Sequence, residues 1–124
     1  MASAINNPER WACWRFEDED EGQIISVKTE SKMANAQSLV LYKEDHTIGN
    51  IVRMQLLRDN RVRYAGYKMP HPTIHDCHIK IQTMEASTSS LKVFDEALED
   101  LGEEVSRLKN QFSSAYQTYS QEME

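Results

Sequence analysis

Two cysteines in 124 residues, Cys13 and Cys77, are too few for a disulfide framework and point to a reducing compartment with free thiols. Basic residues are scarce as well. Fourteen Lys and Arg stand against 20 Asp and Glu, a formal net charge of −6. That balance argues against a direct grip on nucleic acid as the main activity, because such a grip needs a basic patch. No apolar run approaches the roughly 20 residues of a membrane span. The amino terminus is polar and soon acidic, without the apolar centre of a signal peptide. There is no internal repeat, and no low-complexity stretch beyond the acidic run Glu17, Asp18, Glu19, Asp20, Glu21. The chain reads as one soluble intracellular domain, long enough for a real core.

What is present in excess is an apolar seam. Leu91, Phe94, Leu98, Leu101, Val105, Leu108, Phe112, Ala115 and Tyr119 follow one another at alternating gaps of 3 and 4. That is the narrow stripe of a coiled coil, not the wider face of an ordinary surface helix. It predicts a helix over about 89–119, roughly 45 Å long at 1.5 Å per residue. A compact chain of this size has a radius of gyration of only about 14 Å. Part of the seam must then overhang its own domain and needs a partner helix. The alternative is a long helix packed wholly on its own sheet.

The rest divides into an irregular acidic segment, 1–22, and a compact domain, 23–124. Trp11, Trp14 and Phe16 need cover, on the domain or on a partner. Residues 24–28 and 38–43 read as strands of a hairpin joined by a loop at 29–35. Thr47 can cap a helix whose Ile48, Ile51, Val52 and Leu56 share a face and which ends near Asn60. Residues 61–68 alternate, with Val62, Tyr64 and Gly66 on one side and Arg63, Ala65 and Tyr67 on the other. Pro70 and Pro72 interrupt. In 77–84, Cys77, Ile79, Ile81 and Thr83 point in while His78, Lys80 and Gln82 point out. The stretch Ser87 to Ser90 offers caps for the long helix. The order β-β-α-β-β-α predicts an α+β two-layer sandwich: a mostly antiparallel four-stranded sheet covered on one face by two helices, the second long and dimer-forming.

Catalytic constellations are poor. His71, His75, Asp76, Cys77 and His78 form the one cluster that resembles chemistry. Imidazole and thiolate can hold zinc. On a strand, however, His75 and Cys77 share a face while His78 points away, and no second Cys/His pair closes the site. Cys77 is better explained as a small buried hydrophobe. His46 beside Asp45 has no accompanying nucleophile. Gly49 stands alone in the helix's first turn with no Gly-rich phosphate loop, so close packing is its reason. Arg53, Arg58, Arg61 and Arg63 form either a solvated face or an electropositive patch for an acidic protein surface.

The stretch Lys43-Glu44-Asp45-His46-Thr47-Ile48-Gly49-Asn50-Ile51-Val52-Arg53 resembles the helix signature of the alpha-like small subunits of RNA polymerase. Tyr64-Ala65-Gly66-Tyr67-Lys68-Met69-Pro70-His71-Pro72 resembles that family's strand and turn, and Ile79-Lys80-Ile81-Gln82-Thr83 its last strand. The likeness covers roughly residues 35 to 112. Arg53-Met54-Gln55-Leu56-Leu57-Arg58-Asp59 and the opening Asn7-Pro8-Glu9-Arg10-Trp11 resemble the polymerase II type, with the small subunit shared by polymerases I and III as the alternative. Bacterial alpha, a more distant relative, commonly has a second arginine where this chain has Met54.

The resemblance implies a nuclear, non-catalytic assembly subunit with no cofactor and no metal. Its partners would be the larger alpha-like subunit, in a heterodimer, and then the two largest subunits, with no direct nucleic acid and no membrane. The implied partner-binding residues are Ile48, Gly49, Asn50, Ile51, Val52, Arg53 and Leu56 on the first helix. On the second they are Leu91, Phe94, Leu98, Leu101, Val105, Leu108 and Phe112. A remoter reading is a small metal-binding protein or enzyme using His71, His75 and Cys77.

Overall fold

The computed structural model describes residues 10–16 and 24–124. The acidic run at 17–21, most of the opening motif and the boundary drawn at residue 22 lie outside the described residues. Arg10–Cys13 form one short 3-10 turn, and Trp11, Trp14 and Phe16 around it are largely exposed.

The domain proper runs β1 (Ile25–Thr29), β2 (Ala36–Tyr42), α1 (His46–Leu57), β3 (Val62–Lys68), β4 (Asp76–Thr83) and α2 (Ser90–Glu122). The sheet order is β1-β2-β4-β3, with every neighbouring pair antiparallel. β4 enters between β2 and β3, so α1 carries the chain across a gap that a later strand fills. The hairpin loop ends at Asn35, whose φ of 60° lies in the left-handed region that asparagine tolerates. The Asn35 carbonyl accepts from Thr83 N at 3.2 Å and from Ser90 Oγ at 3.0 Å, tying the hairpin to the end of β4 and the root of α2.

The inner face of β4 is as its alternation predicts: Cys77, Ile79, Ile81 and Thr83 are all buried. Leu39 and Leu41 of β2 join them, and Val52, Leu56, Val93, Phe94 and Ala97 of the helices close the core from above. Each such large side chain contributes about 1.5–3 kcal/mol.

β3 departs from simple alternation. Val62 pairs with Thr83 and Tyr64 with Gln82, two steps on β3 against one on β4, which is a β-bulge. The extra residue resets the period. Val62 and Ala65 are both buried in the core with Tyr67 packed against them, and Arg63 and Tyr64 are both exposed. The expected grouping of Val62 with Tyr64 and Gly66 is therefore corrected.

α1 begins at a cap two residues earlier than expected. Asp45, not Thr47, is the N-cap, its Oδ1 accepting from Thr47 N at 2.9 Å. Those hydrogen bonds hold the Asp45 carboxyl below its ordinary range. α2 is capped by Ser89, which accepts from Lys92 N.

The 33 residues of α2 extend about 50 Å at 1.5 Å each. Only its first three turns pack apolar side chains on the domain: Val93, Phe94 and Ala97 are buried beside Ser90, and Leu101 is half-buried. Every residue from 102 to 119 is exposed. A helix packed wholly on its own sheet is thereby excluded. Among the described residues no helix is long and apolar enough to cross a membrane.

Candidate partner-binding surface

α1 is apolar on two sides. The side formed by Gly49, Val52 and Leu56, with Ile48 against it, is spent on the domain's own core. Those four residues were expected to face a partner; the sheet beneath them already takes that face. Gly49 is buried where α1 passes Tyr67 and Cys77. The opposite side carries Ile51, Met54 and Leu57, spaced so that they spread across the helix face turned from the sheet, each about half exposed. Of these, sequence reasoning named Ile51 alone as a partner residue and missed Met54 and Leu57. The available signal was the second apolar stripe itself.

On α2, Phe94 is buried in the core and Leu101 half-buried against it. Leu91 and Leu98 sit at the margin, 37% and 39% exposed, while Val105, Leu108 and Phe112 reach 58–71%. Tyr116 and Tyr119 prolong the bare stripe to the helix end. A third apolar element is β1. Ile25 and Val27 pair with Leu41 and Leu39, which puts them on the helix-bearing side, yet both are exposed because no helix crosses β1. Burying five or six such side chains against a partner is worth on the order of 10 kcal/mol before the costs of association.

The polar groups here are structural. Arg53 donates to Asn50 Oδ1 at 2.8 Å, an i, i+3 pair along α1. Arg58 reaches Glu104 at 3.2 Å and joins the end of α1 to α2. Arg61 grips Asp59 and also bonds Glu96 on α2. Arg63 turns to the other face of the sheet. The four arginines therefore do not make one patch, and three of them are engaged within the chain.

The histidine–cysteine cluster does not assemble. His71 Nδ1 bonds Thr73 within its own turn, and Cys77 is buried beneath Gly49. His46 Nδ1 lies 2.9 Å from the Tyr67 hydroxyl, while Asp45 caps α1. Among the described residues no group of three His, Cys, Asp or Glu side chains is placed to hold a metal ion.

Residues 36–111 match the family described as the RNA polymerase Rpb3/Rpb11 dimerisation domain. The DNA-directed RNA polymerase II subunit rpb11 of Dictyostelium discoideum is 38% identical over 108 residues, 87% of this chain and 88% of that protein. The probable RNA polymerases I and III subunit RPAC2 of Caenorhabditis briggsae is 32% identical over 77% of this chain and 65% of its own length. Among solved structures, the DNA-directed RNA polymerase subunit L of Thermoplasma acidophilum has the same fold, with a TM-score of 0.62 over 77% of this chain and 93% of that one, at 24% identity.

Proposed function

The chain belongs to the family of the RNA polymerase Rpb3/Rpb11 dimerisation domain, and on that premise we propose that it serves as the small alpha-like assembly subunit of RNA polymerase II. The higher identity and fuller coverage toward the polymerase II relatives favour that type over the one shared by polymerases I and III. It acts in the nucleus and does no chemistry of its own. Its helix layer joins that of the larger alpha-like subunit, and the pair forms the platform on which the two largest subunits assemble.

One observation carries this reading: a continuous apolar stripe, Val105 to Tyr119, stands clear of the domain on a well-capped helix. A seam of that length in water demands a helical partner. Ile51, Met54 and Leu57 on α1, with Ile25 and Val27 on β1, widen the same apolar surface.

Co-expression with the larger alpha-like subunit tests it. Leu108→Asp or Phe112→Asp places a charge on the seam, where burial without a counter-ion costs about 3–5 kcal/mol. Co-purification of the larger subunit should fall at least about tenfold. Glu103→Lys, on the opposite side of α2, should leave it unchanged. Equal recovery from all three would overturn the seam as the interface.

A further inference from the structure

The face of the sheet turned from the helices belongs to none of this. Register sets Lys28, Ser38, Lys80 and Gly66 in one row across all four strands, and Ser26, Val40, His78 and Lys68 in the next. These rows border a shallow groove of about 370 Å³. Its floor is apolar at Val40, which is buried although it lies outside the core. The hydroxyl end of Tyr64 reaches over Gly66: a Cβ built on Gly66 would meet the Tyr64 hydroxyl oxygen at 2.6 Å. A larger residue at 66 would push the tyrosine aside, and Tyr64 remains 48% exposed. Arg63 and Lys80 flank it in the adjoining hollow.

The charge on this face runs against that of the chain. Lys28, Arg63, Lys68 and Lys80 border these two hollows with one carboxylate, Glu30, and Asp76 at the start of β4 is the next acid on the same face, in a protein whose net charge is −6. Glu30 is engaged by Ser38 Oγ at 2.6 Å and Lys80 Nζ at 3.8 Å. Lys28, Arg63 and Lys68 form no salt bridge among the described residues, unlike Arg58 and Arg61 on the helix side. β1 and β3, which carry these three cations, are the two edge strands.

We propose that this face is a second docking surface, for an acidic, extended segment of another polypeptide. Its carboxylates would meet Lys28, Arg63 and Lys68, and an apolar side chain would lie against the exposed Tyr64 ring. Nucleic acid fits less well. A fixed carboxylate at Glu30 stands in the groove and repels phosphate, and a base-stacking platform uses several open rings where this groove offers Tyr64. Complementary charge of this kind sets partner choice and encounter rate.

The test uses the assembled complex purified through this chain at native levels. A photo-crosslinking phenylalanine analogue replaces Tyr64, and the crosslinked peptides are sequenced. A crosslink to a stretch of another polypeptide rich in Asp and Glu is expected. Lys28→Glu with Lys68→Glu, both on exposed edge-strand positions, should reduce its yield about tenfold, and Lys→Arg at the same sites should retain it. Crosslinks to RNA or DNA, to this chain's own residues 17–21, to a segment without net negative charge, or to nothing would each overturn the proposal. So would a yield indifferent to the charge reversal. Because the readout is the crosslink at Tyr64, it is independent of how the helix-layer seam behaves.

Discussion

Gly49 and Tyr67 are in van der Waals contact with no room between them: a Cβ on Gly49 would lie 2.7 Å from Tyr67 Cδ2 and 2.8 Å from Cys77 Sγ. The glycine serves the fit of α1 on its own sheet, not the approach of a partner. Replacing it with alanine gains about 1 kcal/mol of helix propensity. The overpacking costs about 1–3 kcal/mol, because the ring atom is not a free side-chain end. Gly49→Ala should therefore destabilise the domain modestly, and Gly49→Val by several kcal/mol. Urea unfolding of the purified complex, followed by circular dichroism, measures this. Partner binding abolished at an unchanged unfolding midpoint would return Gly49 to the interface.

Leu108 and Phe112 are 69% and 71% exposed, so they can be changed without touching the core. Leu101, half-buried against the core cluster, cannot. The unaccompanied chain should self-associate through α2 and bind a dye that reports apolar surface. Leu108→Glu with Phe112→Glu should give a monomer of unchanged secondary structure. Sedimentation velocity over a range of concentrations decides it. A wild-type monomer at high concentration would show that the seam is tolerated bare.

Where one period dominated, the fold could be read from the sequence. β4 alternates from Cys77 to Thr83 and is buried on that alternation, and the 3,4 seam marks α2 almost to its last turn. Sequence could not tell which face of α1 meets the sheet, since Ile48, Val52 and Leu56 compete with Ile51, Met54 and Leu57. Either stripe would serve, and the choice is made by what β3 and β4 present. The bulge at Val62–Tyr64 was also hidden, because Arg63 and Tyr64 are both acceptable in a regular strand. The cationic sheet face was invisible for a different reason. Lys28, Arg63, Lys68 and Lys80 come from three strands, and only the register brings them together.

Arg61 is the clasp between the α1–β3 turn and α2. Its Nε and Nη2 donate to Asp59 at 3.0 and 2.7 Å, and Nη2 also bonds Glu96. The guanidinium holds the Asp59 carboxyl below its ordinary range. A carboxyl whose folded value is depressed adds stability above the unfolded value, about 3.9, and loses it as pH falls through the lower folded one. Both groups are partly exposed, so solvent screening limits the effect, and Arg61→Ala should cost only about 0.2–1 kcal/mol near neutral pH. The difference between variant and wild type should shrink below pH ~4. Thermal melts at a series of pH values read it out, and NMR titration of Asp59 should show its midpoint return upward in the variant. A penalty that grows on acidification would contradict the assignment.

Cys77 is buried and Cys13 half-exposed, which separates them chemically. Burial pushes the Cys77 thiol up to about 11, with Glu44 and Asp45 adding to the shift. The thiolate is the nucleophile, so at pH 8 Cys77 is both inaccessible and protonated. A disulfide reagent should modify one thiol per folded chain within minutes and the second only on unfolding. Cys13→Ser should abolish the fast phase, and Cys77→Ser should leave it intact. The sign of the linkage follows from the raised value. The neutral thiol's contribution is full below the unfolded pKa near 8.5 and is lost as pH climbs through about 11. Alkaline unfolding should therefore release the second thiol cooperatively. Gly49→Val, by forcing α1 away from Cys77, should make that thiol reactive at neutral pH. Rapid labelling of two thiols in the native wild-type chain would mean that α1 does not seal Cys77 in solution.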